Sequence, residues 1–170
     1  MPENEVAQRA RRDEEQGKSP STQAGEFVRE EVHHVREGKH GARSPQQAIA
    51  IGLSKARRAG VRLPRPKRGK TSARTRAQAQ RDVGKGQKSG GSRRPSKTRS
   101  RAILRALKRE GRSAASHSNL SRQAHGAAQR RGGRARHQAA MSAVHTKGST
   151  GLRRAARKAA HTRARHRRAA

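Results

Sequence analysis

Residues 44–64 read SPQQAIAIGLSKARRAGVRLP, and they hold a complete set of signals for one helix and both its ends. Ser44 is a natural N-cap, Pro45 takes the first helical position, where a missing N–H costs nothing, and Gln47 completes a capping box. At the other end Gly60 suits the left-handed position beyond the last turn, Val61 covers that turn, and Pro64 blocks continuation. At about 100° per residue, Ala48, Ile49, Gly52, Leu53, Ala56 and Ala59 share one face. Gln46, Ser54, Arg57 and Arg58 face away from it.

One step upstream, residues 26–37 predict a second helix. Val28, Val32 and Val35 fall at i, i+4 and i+7 with Phe27 beside them, Glu26, Glu30, His33 and Glu37 line another stripe, and Gly38 supplies the stop. Residues 26–61 therefore read as a helical hairpin joined by the loop 38–44, inside a domain spanning 25–64. So short a hairpin is marginal alone, and a second copy packed as a homodimer would complete it. Residues 1–24 read as a polar, partly acidic and flexible N-terminus. A short helix at Val6–Glu15 is expected there, with Ser19–Pro20 and Gly25 as breakers. Residues 65–95 read as a basic linker rich in Pro and Gly, with room for a helix at Ala73–Val83. Residues 96–170 form an Arg/Ala-rich arm of short helices separated at Gly111, Gly132–Gly133 and Gly148.

Composition sets the expected fold class. Leu, Ile, Val and Phe total 17 of 170 residues, about a tenth, below the roughly 20% under which a highly charged chain is expected to be disordered. The expectation is a chain that is mostly α where ordered, a small hairpin plus a flexible arm, and largely disordered overall. Cysteine is absent, so thiolate metal sites, disulfides and a cysteine nucleophile are excluded. No apolar run approaches the roughly 18 residues of a membrane span, and the N-terminus does not resemble a signal peptide. A cytoplasmic, nucleoid-associated protein is expected. The excess of Arg over Lys, 33 to 11, is what a GC-rich bacterial genome writes.

Charge names the partner class. Nine of the 11 acids lie in residues 1–37 beside six bases, a net of −3. Residues 38–170 hold 38 bases and only two acids, Asp82 and Glu110, a net of +36. Such an excess repels itself unless a polyanion neutralises it, so nucleic acid is the expected partner. The candidate contact residues are Arg57 and Arg58; Arg62, Arg65, Lys67, Arg68 and Lys70; Arg101, Arg105, Lys108 and Arg109; and Arg153, Arg154, Arg157, Lys158, Arg165 and Arg168. With Phe27 the only aromatic residue, base stacking is out of reach, which favours duplex DNA over RNA. A basic protein associated with RNA or the ribosome, and a protein-interaction module tethered by a basic tail, are the alternatives. Membrane partners are set aside because the amphipathic C-terminal helices oppose Arg with Ala rather than Trp, Phe or Leu.

Neither a paired-carboxylate site, a G-x-S-x-G elbow nor a phosphate-binding loop is present, so no enzyme, cofactor or catalytic residue is expected. His33-His34-x5-His40 and the pair Glu30/His33 raise a metal reading, but surface histidines are the expectation and no metal site is predicted.

The stretch GEFVREEVHHVREGKHGARS, residues 25–44, and its continuation to Pro64 resemble a family of small basic bacterial proteins of unknown function. The resemblance rests on Lys39-His40-Gly41, Ser44, Gln47–Ile51 and Ala56–Gly60. From Arg99 through SAASHSNLSRQAHGAAQRR the chain is similar to the basic C-terminal extension of longer members. The resemblance implies no defined activity; it implies a histone-like, DNA-binding or plasmid-stabilising role only as loosely as members are described.

Overall fold

A computed structural model describes residues 2–87 and 96–168 of the chain. Among them are six α-helices: α1 (Pro2–Glu15), α2 (Pro20–Arg36), α3 (Pro45–Arg58), α4 (Ala73–Gln87), α5 (Lys97–Arg109) and α6 (His117–Arg168), with a 3-10 turn at Ser113–Ala115 between the last two. This corrects the expectation of a largely disordered chain. Leu, Ile, Val and Phe are a poor measure of this protein because its interfaces are built from Ala and Gly, and Ala, Arg, Gln and Lys are among the strongest helix formers. Gly90 and Gly91, assigned to the linker, lie outside the described residues.

The chain divides into two units, Met1–Gln123 and Ala124–Ala170. The first is organised around the α2–α3 hairpin. Ser44 is extended, and its side chain accepts from the backbone N–H of Gln47 at 3.3 Å. The Gln47 side chain reaches one residue further back than a standard capping box, accepting from the Arg43 N–H at 2.7 Å. Gly60 adopts φ +98°, while the Val61 N–H bonds to Ala56 O at 3.1 Å and closes the last turn of α3. The two helices approach closely at Gly52, where an added Cβ would stand 2.7 Å from Val28 Cα.

α1 packs on α2, α4 packs on α3, and the 3-10 turn touches both α2 and α3. The hairpin thus has elements of its own chain packed on both of its helices. Val6 and Ala10 of α1 join Ala24, Phe27 and Ala56 in one apolar cluster, so residues 2–15 belong to the packed unit and are not a loose arm. Val35, Ala42 and Ala48 form a second cluster with Ala114 and Ala115. Ser19–Pro20, read as a breaker, starts α2 instead, since Pro is well tolerated in a first turn. Gly25 lies inside that helix with open space where a side chain would begin.

The stretch after α5 is held by backbone. Gly41 N–H donates to Leu107 O at 2.9 Å and Ala42 N–H to Gly111 O at 3.1 Å. A side chain at Gly41 would run into the Glu110 carbonyl. Arg36 Nε donates to Ala115 O at 2.9 Å, and Gln46 Nε2 to Gln123 Oε1 at 2.6 Å. Residues 36–48, which include the Lys39-His40-Gly41 loop, and residues 107–115, far apart in sequence, therefore meet.

The second unit is the remainder of α6. Its backbone leaves helical geometry at Gly132 (φ 78°) and Gly148 (φ 61°), leaving helical runs at 133–147 and 149–168. Those are the glycines at which the sequence predicts stops. None of the described residues of this unit is buried, and its larger apolar side chains, Met141 and Val144, stand in solvent.

Candidate functional site

The bases singled out by sequence receive different treatment along the chain. Arg57 is only 8% exposed, and its guanidinium donates to Pro64 O at 3.3 Å, pinning the segment that leaves α3. Arg58 is half exposed, but its Nε donates to Ser54 O at 3.2 Å and lies 3.9 Å from Asp82. The sequence reading placed both on an outward face because it gave α3 one partner, α2; α4 covers the opposite side. Asp82 of α4, 2% exposed, accepts from Ser54 Oγ at 2.5 Å and from Gln78 Nε2 at 3.0 Å. Gly86 lets α4 come so near that a side chain there would strike the Arg57 carbonyl.

Arg62, Arg65, Lys67, Arg68 and Lys70 line the connection between α3 and α4 and are exposed. Arg101, Arg105, Lys108 and Arg109 project from α5, a helix with no buried residue. Arg153, Arg154, Arg157, Lys158 and Arg165 are exposed on the last helical run; the side chain of Arg168 lies outside the described residues. Residues 124–170 contain 13 Lys or Arg and no Asp or Glu. The two acids that follow Glu37 are both committed inside the first unit: Asp82 in the α3–α4 clamp, Glu110 at 3.6 Å from Arg43. Near the hairpin loop, Lys39 Nζ sits 2.9 Å from Glu37, and this hydrogen bond and charge hold the Glu37 carboxyl below the ordinary carboxylate range.

A second site is polar and interior. Glu31 of α2 is fully buried, with Lys55 Nζ of α3 3.0 Å from Oε2 and His40 Nε2 3.3 Å from Oε1. Among the described residues neither oxygen accepts a well-formed hydrogen bond, yet attraction between charges follows separation more than angle, so the Lys55 ammonium, and the His40 ring when it is protonated, compensate the carboxylate. Without them a buried carboxylate would cost several kcal/mol, on the order of the penalty for any unpaired buried ion. His34, one turn on, is 8% exposed with Nε2 3.1 Å from Glu30 Oε1. Glu30 also has Arg9 of α1, 3.8 Å away, and Arg9 Nε donates to Glu26 at 3.0 Å.

His34 and His40 thus depart from the expected surface placement, whereas His33 is exposed as expected. The relevant i, i+3 pair is Glu31/His34, one register away from the Glu30/His33 pair singled out in the sequence. The spacing was visible in sequence, but the face was not, because α2 is covered by both α1 and α3.

No helix among the described residues is long and apolar enough to cross a membrane. No curated protein and no solved structure matches this chain. Residues 17–68, which hold α2, α3 and the Glu31–His34–His40–Lys55 cluster, match the model of a family of unknown function, DUF6496.

Proposed function

We propose that this protein binds nucleic acid, duplex DNA in preference to RNA, through phosphate contacts that do not read sequence, as a histone-like component of the nucleoid. The observation that carries the reading is residues 124–170: 13 bases and no acid, on helices whose described residues are all solvent-accessible. A helix with no apolar burial and uncompensated positive charge has little to gain from packing and much from releasing the counterions of a polyanion. Asp82 and Glu110, the two acids after Glu37, have partners inside the first unit, and residues 124–170 contain no acid of their own. Duplex is favoured because the sole aromatic side chain, Phe27, is buried in the hairpin core and cannot stack on bases.

The test is a salt titration of the full chain against duplex DNA, single-stranded DNA and structured RNA, beside the variant Arg153→Gln/Arg154→Gln/Arg157→Gln/Lys158→Gln. Each lost phosphate contact lowers the slope of log affinity against log salt by about 0.9 on duplex, so the variant's slope should fall by about 3 to 4. An unchanged slope removes this helix from the interface. Tighter binding to structured RNA at matched salt moves the protein to an RNA-associated role.

A further inference from the structure

Glu31, His34 and His40 each bring one potential ligand atom to within 4.8 Å of the others, inside the family-matched region. We propose that these three side chains form a binding site for a divalent transition cation of the zinc class.

The proton inventory of His40 is the first argument. Its Nδ1 lies 3.0 Å from the Gly41 carbonyl oxygen, which can only accept, so Nδ1 carries a hydrogen. Nε2 then faces the Glu31 carboxylate at 3.3 Å either as a bare lone pair or with a second proton. Two lone pairs cannot rest at that distance without a cation between or beside them. A backbone carbonyl on the far ring nitrogen is also the usual means by which a protein fixes the tautomer and angle of a metal-binding histidine. The 3.3 Å separation equals the edge of a tetrahedron drawn with bonds of roughly 2.0–2.1 Å, the ordinary length for zinc to nitrogen or oxygen.

Burial is the second, independent argument. Both Glu31 oxygens and His34 Nε2 are enclosed, and none has a well-formed hydrogen bond among the described residues. Lys55, 3.0 Å from Oε2, holds one side of the carboxylate and leaves Oε1 turned toward His40. The contact of His34 with Glu30 is the competing arrangement, and Glu30 keeps Arg9 when His34 turns to a cation. Glu31 and His34 stand on one face by their i, i+3 spacing, in the C-terminal half of α2, where the helix dipole favours positive charge.

A set of two imidazoles and one carboxylate, with no thiolate in the chain, selects a borderline cation such as Zn2+ or Co2+ over Ca2+ or Mg2+. Three protein ligands leave one position for water. The bound cation would fasten the Lys39-His40-Gly41 loop to α2, and with it the backbone contacts of that loop to residues 107–111.

The experiment titrates the unmodified full chain with Co2+ in phosphate-free buffer, reading visible absorption, then displaces Co2+ with Zn2+. The expected result is a band of tetrahedral intensity that saturates at one equivalent and disappears on adding Zn2+. His40→Gln and His34→Gln should each weaken Zn2+ binding by about a hundredfold or more, since losing even an outer-shell partner of a metal ligand costs about 10–100-fold. His33→Gln, exposed on the same helix, should leave affinity unchanged. Absence of the band on the unmodified chain overturns the proposal without appeal to any variant and leaves Glu31, His40 and Lys55 as a closed ion-pair network. A band equally strong in His34→Gln and His40→Gln, with helicity retained, overturns it as well by assigning the metal to other histidines.

Discussion

The α2–α3 hairpin and the helical runs after Ala124 are both rich in Ala and Arg, yet their helices persist for different reasons. In the hairpin α3 is capped by Ser44 and both helices end at a positive-φ glycine, and the faces between are filled by α1, α4 and the 113–115 turn. After Ala124 glycines alone interrupt the helix, none of the described residues is buried, and intrinsic propensity carries the structure. Charge divides the same way. Several acids of the first unit are paired across helices, as Glu26 with Arg9 and Asp82 with Ser54 and Arg58, whereas residues 124–170 contain no acid. Helices that share Ala and Arg can thus give a packed unit or an accessible cationic surface, depending on whether larger apolar residues, acids and caps accompany them.

Substitutions can break that contrast. The largest expected effect is Phe27→Ala, which should cost about 3–5 kcal/mol in chemical denaturation followed by circular dichroism, because Phe27 joins α1, α2 and α3. Met141→Ala, on a side chain 55% exposed, should fall within about 0.5 kcal/mol of wild type. Equal effects would erase the distinction between the units.

Glycine sharpens it further, because Gly→Ala should have opposite signs in the two regions. At Gly52 the new methyl meets the backbone of α2, and a loss of about 1–3 kcal/mol is expected. At Gly133, with open space around it and no positive φ, the same change should add helicity, worth about 1 kcal/mol at most.

A smaller loss, about 1 kcal/mol, should follow Ser44→Ala, which removes the acceptor for the Gln47 N–H at the start of α3. The smallest effect concerns Glu37. Its carboxyl titrates lower in the folded chain than in the unfolded one, so its contribution is present above the unfolded value and lost as pH falls through the lowered folded value. Lys39→Gln should raise the Glu37 titration midpoint in an NMR pH series while leaving the denaturation midpoint nearly unmoved, since both groups are exposed and screened.

Much of the hairpin was legible in sequence. Ser44, Pro45, Gly60 and the Ala48/Gly52/Ala56 face act as their local chemistry dictates, and Gly132 and Gly148 interrupt α6 where the periodicity stops. Long-range partners were the hidden part. Nothing local to Arg57 says that α4 will cover it, nor does anything near Glu31 and His34 say that α1 will widen the buried face of α2. Counting large aliphatic residues also undervalued a core made by Ala24, Ala42, Ala48, Ala56, Ala114 and Ala115, whose small side chains let backbones approach closely. The exposed bases at 62–70, on α5 and at 153–165 are where sequence placed them, because exposure is the default for arginine and needs no partner to explain it.

The central claim, that a packed first unit carries a separate cationic surface for nucleic acid, is tested most directly by hydrogen exchange on the full chain with and without duplex DNA. The account predicts that α2 and α3 are the best protected in both states, and that DNA slows exchange chiefly in residues 124–168. Slowing centred on residues 26–61, with 124–168 unchanged, would contradict it and place the nucleic-acid site on the hairpin.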